Sequence, residues 1–144
     1  MSASPARSAA RKLLVQALYQ RQVGGQAWQE LYGQYSTDPL FARADAEYFR
    51  TALEAVCDGA PGLDDLLRQY SDIQPDRLDP VEHAILHLGL WELMTRPDVP
   101  YRVVINEAVE LAKRFGATDG YRYVNAVLDK ASRAHRAVER GEVA

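Results

Sequence analysis

VEHAILHLGLWELM, residues 81–94, is the most apolar stretch of the chain, and its reading decides the fold. Ala84, Ile85, Leu88, Leu90, Trp91 and Leu93 cover too wide an arc for a helix with one face in water, so this segment is expected at the centre of a helical protein. Asp79-Pro80 supplies its start, a side-chain acceptor followed by a residue whose missing N–H costs nothing in a first helical turn. Neither it nor any other apolar run approaches the ~20 residues that cross a bilayer.

On the C-terminal side, Arg96-Pro97-Asp98-Val99-Pro100 reads as a rigid connection. Ile105 to Phe115 is amphipathic and stops at Gly116. Thr118 or Asp119 then caps a last helix running to about Arg140, with Val124, Val127, Leu128 and Ala131 as its buried stripe. On the N-terminal side, Ser4-Pro5 opens a first helix that Gly24-Gly25 closes. A short helix follows at Ala27 to Tyr35, closed by Ser36-Thr37-Asp38-Pro39. Phe49, Leu53 and Val56 are the inner face of a helix over Asp45 to Asp58. Gly59-Ala60-Pro61-Gly62 reads as a break, and Leu63 to Tyr70 as a separate short helix. Nothing alternates with the period of two that a strand requires. The reading is all-α, a single compact domain over 1–144 with about seven helices, its ends fraying in the first few residues and from Gly141 onward. Trp28 and Phe41 suit either the core or a homodimer interface, and no spacing decides between them.

The 144 residues are 47% hydrophobic and 26% charged, the balance of a folded globular chain. The single Cys57 excludes an internal disulfide framework and a cysteine-based zinc cluster, and fits a reducing, cytoplasmic setting as a buried thiol. The acid-free, Arg- and Ala-containing N-terminus resembles a transit peptide in composition, but its amphipathic stripe continues into the fold. Charge is unevenly placed within a net of −3. Residues 1–29 carry four basic and no acidic side chains. Residues 113–140 carry seven basic against three acidic, and the middle, 30–112, six basic against sixteen acidic. A polyanion would favour the ends and a basic protein the middle.

Groups for catalysis or cofactor binding are sparse. No nucleotide-binding glycine loop or nucleophile elbow is present. His83 and His87 have a metal-binding spacing of four, but no suitably spaced third ligand is evident, and an ordinary histidine pair is the preferred reading. No enzyme activity, cofactor or metal is expected.

The two basic ends also carry rings beside their cations. Lys12, Gln16 and Tyr19 offer a cation, an amide and a ring along one side of the first helix. Phe115, Arg122 and Tyr123 offer two rings and a cation near the start of the last, where backbone N–H groups at Asp119 and Gly120 can meet a phosphate. Arg7 and Arg11 add positive charge.

Residues 99–130, VPYRVVINEAVELAKRFGATDGYRYVNAVLDK, closely resemble the C-terminal signature of the NusB family. Arg7 to Arg11 with Val15 to Tyr19 resembles that family's Arg-rich first helix, and Glu82 to Leu93 its central one. The resemblance implies two small packed helical bundles that bind the single-stranded boxA element of nascent ribosomal RNA, and the residues above fit it, with cations for its phosphates and rings for its unstacked bases. Binding would occur together with NusE, a small-subunit ribosomal protein, within an RNA polymerase antitermination complex. It also carries over Glu82 and Leu86 as a partner-binding face; Asn106 and Glu107 are characteristic of the family, but an Asn and a Glu early in a helix are read as capping and bracing it. His87 departs from the family's common Arg, which unsettles that partner face. The competing reading is a helical protein-interaction module without specific RNA binding.

Overall fold

A computed structural model describes residues 3–141; most of the frayed ends expected from the sequence lie outside them. Seven α-helices follow in order: α1 Pro5–Gly24, α2 Trp28–Tyr35, α3 Ala46–Tyr70, α4 Pro80–Thr95, α5 Tyr101–Phe115, α6 Gly120–His135 and α7 Ala137–Arg140. Two 3₁₀ turns, Pro39–Arg43 and Pro75–Arg77, complete the order, and there is no strand among the described residues. The caps expected for the first and central helices form. Ser4 Oγ accepts the Arg7 N–H, and Asp79 Oδ1 accepts those of Val81 and Glu82, satisfying donors that have no partner inside the helix.

The helix count agrees with expectation through two compensating differences. The supposed break at 59–62 lies inside one continuous helix, α3. The apolar stripe Phe49, Leu53, Val56, Ala60, Leu63, Leu67 keeps its helical spacing straight through, so packing outweighs the poor helix formers. Pro61 has no N–H to give the Cys57 carbonyl, and the Arg21 guanidinium of α1 donates to that oxygen instead, at 3.2 Å. Conversely, the last helix stops at His135, and α7 begins one residue later at a new angle.

Helix α4 is central, as its composition predicts. Every residue from Ala84 to Leu93 is buried, and α4 packs on α1, α3, α5 and α6. It therefore joins the N-terminal group α1–α3 to the C-terminal group α4–α6, and one hydrophobic core runs through both. Gly89 permits its close approach to α6, because a Cβ there would stand 2.8 Å from Leu128 Cδ1. Phe41 sits edge-on to Phe49 at 5.7 Å, and Trp28 lies half-buried under Arg50, so both pack within the one chain.

Two arginines are buried inside this helical frame. Arg11, 2% exposed, forms a bidentate pair with Glu92 across α1 and α4 (2.8–3.2 Å) and reaches Glu107 of α5 at 3.0 Å. The Tyr48 hydroxyl donates a short hydrogen bond to the same Glu92 carboxylate. Burial first, then the adjoining carboxylate, pushes the Tyr48 phenol far above its ordinary range. Arg136, at the end of α6, donates to the carbonyls of Glu92, Leu93, Arg96 and Val99 at 2.8–3.1 Å and pairs with Glu139. These donors add to the backbone N–H groups of Arg96 and Val99, which already reach the Glu92 and Arg96 carbonyls, and they tie the end of α6 to the end of α4 and the turn after it.

Candidate nucleic-acid interface

Helices α1 and α5 lie side by side, and the surface between them carries part of the expected RNA site. Gln16, Tyr19 and Phe115 line one depression of about 310 Å³, with Val15, Gln20, Tyr35 and Val81 as the rest of its wall. One helical turn back, Lys12 and Arg114 border a second depression of about 320 Å³ with Ser8, Glu107, Glu110 and Leu111. The register explains the continuity: Lys12 to Gln16 and Leu111 to Phe115 are both steps of four along a helix face.

Tyr19 is 40% exposed, a large ring left in solvent beside an apolar floor. Gln16 folds its amide back, donating Nε2–H to the Lys12 carbonyl at 3.0 Å. The far wall is fixed by Gln20, which exchanges amide hydrogen bonds with Gln34 (2.7 and 3.0 Å) and accepts the Tyr35 hydroxyl. The two acids in the groove are compensated. Glu107 accepts from Arg11 and from Ser8 Oγ (2.6 Å), and Glu110 pairs with Lys113 at 3.7 Å. Lys12 and Arg114 form no ion pair among the described residues; Arg114 stacks over the Phe115 ring at 5.4 Å. Two uncommitted cations thus stand beside two rings and an amide. That combination suits a chain of phosphates with unstacked bases. Arg114, Val81 and Tyr35 were not anticipated, although Arg114 lies beside Phe115 in an already basic segment.

The start of α6 supplies a second, looser group. Asp119 occupies the N-cap position in the left-handed region (φ 64°), which Asp tolerates better than most residues, but its side chain makes no capping bond. Instead it lies 3.7 Å from Arg122, and both are largely exposed. The Gly120 N–H is donated to the Ala117 carbonyl at 3.0 Å, which removes one backbone donor expected to meet a phosphate. Arg122 stacks over Tyr121, as does Lys113 from α5.

Several expected contacts are withdrawn from the surface. Arg11, 2% exposed, turns its guanidinium to Glu92 and Glu107 in the core. Arg7, half-buried, pairs with Asp98 at 2.9 Å and Asp45 at 3.6 Å and lies over the Tyr48 ring. Tyr123 is half-buried, and its hydroxyl makes a short hydrogen bond to Ser71 at the end of α3. That bond ties the start of α6 to the end of α3.

The side chains expected at the partner face lie mostly inside the fold. Leu86 is fully buried, as the central position of α4 requires. Glu82 is 8% exposed, and its carboxylate accepts the Ala117 N–H at 3.2 Å beneath the α5–α6 loop. Burial raises its pKa, against the opposing effect of that hydrogen bond. A Cβ on Gly120 would stand 2.0 Å from Glu82 Oε2, so the glycine makes room for this acid. Glu82 shapes the loop that carries Asp119 and Arg122.

Comparison with known proteins agrees with this architecture. The NusB family profile matches residues 8–133. The transcription antitermination protein NusB of Alcanivorax borkumensis is 48% identical over 141 residues, which cover 98% of this chain and 94% of that one. The protein of the same name from Pseudomonas syringae pv. tomato is 46% identical over 136 residues, covering 94% and 82%. The solved structure of T. maritima NusB superposes with a TM-score of 0.78 at 26% identity, covering 99% of this chain and 100% of that one. The chain therefore belongs to the NusB family, whose work is transcription antitermination and not catalysis.

Proposed function

We propose that residues 1–144 act as one RNA-binding domain that holds boxA RNA in the α1–α5 groove. It would do so in the bacterial cytoplasm, together with NusE, as part of the RNA polymerase antitermination complex. The observation that carries this reading is the exposed Tyr19 ring beside Gln16 and Phe115, flanked by Lys12 and Arg114, cations without ion pairs. In this reading Tyr19 stacks on a base, Phe115 floors the groove, and Gln16 swings from its own helix to read a base edge. Lys12 and Arg114 hold phosphates, and Arg122 extends the cationic track past the α5–α6 loop. NusE would dock away from this groove, on a surface that does not use the buried Glu82 and Leu86 side chains.

Titration of fluorescent boxA RNA, with and without NusE and beside a scrambled RNA of equal length, tests the proposal. Tighter binding of boxA, strengthened by NusE and weakened about tenfold or more by Tyr19→Ala, is expected. Equal and weak binding of both RNAs, unchanged by NusE, would replace it with a helical protein-interaction module.

A further inference from the structure

The two histidines four apart on α4 acquire in the fold the third ligand that the sequence did not reveal. Asp64, on the second half of α3, faces both: its Oδ1 lies 2.6 Å from His83 Nε2 and 2.7 Å from His87 Nε2. The rings meet edge to face with centroids 4.4 Å apart, and one ligand atom from each of the three residues falls within 4.8 Å of the others. His87 is almost wholly buried and His83 nearly so, while Asp64 keeps a quarter of its side chain in solvent, leaving an approach from outside. We propose that Asp64, His83 and His87 form a binding site for a divalent cation of the zinc class, clipping α3 to α4.

The donor set argues for the class of ion. Two imidazole nitrogens and one carboxylate oxygen suit zinc, cobalt, nickel or copper, whereas calcium and magnesium need shells of oxygen. A tetrahedral zinc with ligand bonds of about 2.0–2.1 Å sets its ligand atoms about 3.3 Å apart. To reach that spacing Asp64 Oδ1 would retreat by about 0.6 Å, within the freedom of a partly exposed side chain, and the two imidazoles would adjust within the 4.8 Å that encloses the three ligand atoms. Three protein ligands leave the fourth position to water. Arg21 of α1 also acts electrostatically on His87 and would oppose a cation, which limits affinity. The bound ion would fasten the half of α3 beyond Pro61 to the central helix, where no hydrogen bond of the backbone joins the two.

The test uses tag-free full-length protein freed of metal with a chelator, then titrated with Zn²⁺ and separately with Co²⁺. Saturable binding of one equivalent is expected, with a rise in Tm that chelator reverses. Co²⁺ should give the intense visible bands of a tetrahedral site, without the near-ultraviolet charge-transfer band that ligation by Cys57 would add. His83→Gln and Asp64→Asn should each weaken binding at least tenfold, whereas His135→Gln should leave it unchanged. His83 is the less buried histidine, and circular dichroism of the metal-free variant confirms that it folds. Absence of saturable binding below millimolar metal would overturn the proposal, as would binding undiminished by His83→Gln and Asp64→Asn.

Discussion

Replacing Arg11 by Met separates two roles for the same residue. If Arg11 is a core strut, its loss leaves the Glu92 carboxylate buried with only the Tyr48 hydroxyl to compensate it. Removing one partner of a buried ion pair costs about 3–5 kcal/mol. With a urea m-value of about 2 kcal/mol/M, the unfolding midpoint should fall by about 2 M while m stays constant. The second arm removes the orphaned groups as well: Arg11→Met with Glu92→Leu and Tyr48→Phe. An apolar replacement of the cluster should regain most of the lost stability, since buried ion pairs rarely outperform well-packed side chains of similar volume. This triple variant should bind boxA RNA within about twofold of the parent, because no Arg11 donor reaches the groove. The reasoning fails if Arg11→Met shifts the midpoint by less than about 0.5 M. It fails equally if the triple variant folds fully yet loses RNA affinity tenfold.

Three further outcomes follow from the same geometry. Arg136→Met should destabilise the protein by at least about 2 kcal/mol, read by urea denaturation, because the Leu93 and Val99 carbonyls lose a charged donor and those of Glu92 and Arg96 keep only a backbone N–H; a loss under about 1 kcal/mol would mean that water replaces it. Gly120→Ala should force the Glu82 carboxylate off the Ala117 N–H, at a cost of about 1–3 kcal/mol, and disturb RNA binding through the loop; an unchanged melting curve would refute the tight fit. Burial holds the His135 imidazole pKa below its ordinary value. Folding therefore opposes its protonation, and this contribution to stability is present above about pH 6.5 and lost as pH falls through the folded-state value. Between pH 7.5 and 5.5 the parent should lose more stability than His135→Phe; equal losses would exclude the effect.

Helix α4 was legible because its composition forces burial on every side, and that same fact already argued against Leu86 as a partner contact. Pro61 misled because its cost depends on whether another group satisfies the Cys57 carbonyl, and Arg21 does so from 36 residues away. Arg11 did carry a signal: Leu14, Val15 and Leu18 stand three, four and seven residues on, which places it on the apolar face of α1. Its partner Glu92 is likewise embedded between Trp91 and Leu93. Arg136 carried none, since its acceptors are backbone oxygens of a helix end 37–44 residues earlier. In the groove, the α1 face was readable from spacing alone. The pairing of that face with Arg114 and Phe115 was not, because it depends on how α5 settles beside α1.

The Arg136 clamp sets a schedule for synthesis. The carbonyls of Glu92 to Val99 leave the ribosome well before the side chain that will satisfy them. At about 5–20 residues per second, some 40 residues of delay amounts to roughly 2–9 s. Throughout that interval α4, the most apolar helix of the chain, lacks both the Arg136 donors at its C-terminal end and the α6 surface that covers it. A growing chain therefore passes through a sticky, incompletely capped stage, and slowing translation between codons 99 and 136 would lengthen it. Chaperone engagement and aggregation during expression should respond to codon choice in that window more than in any other part of the reading frame.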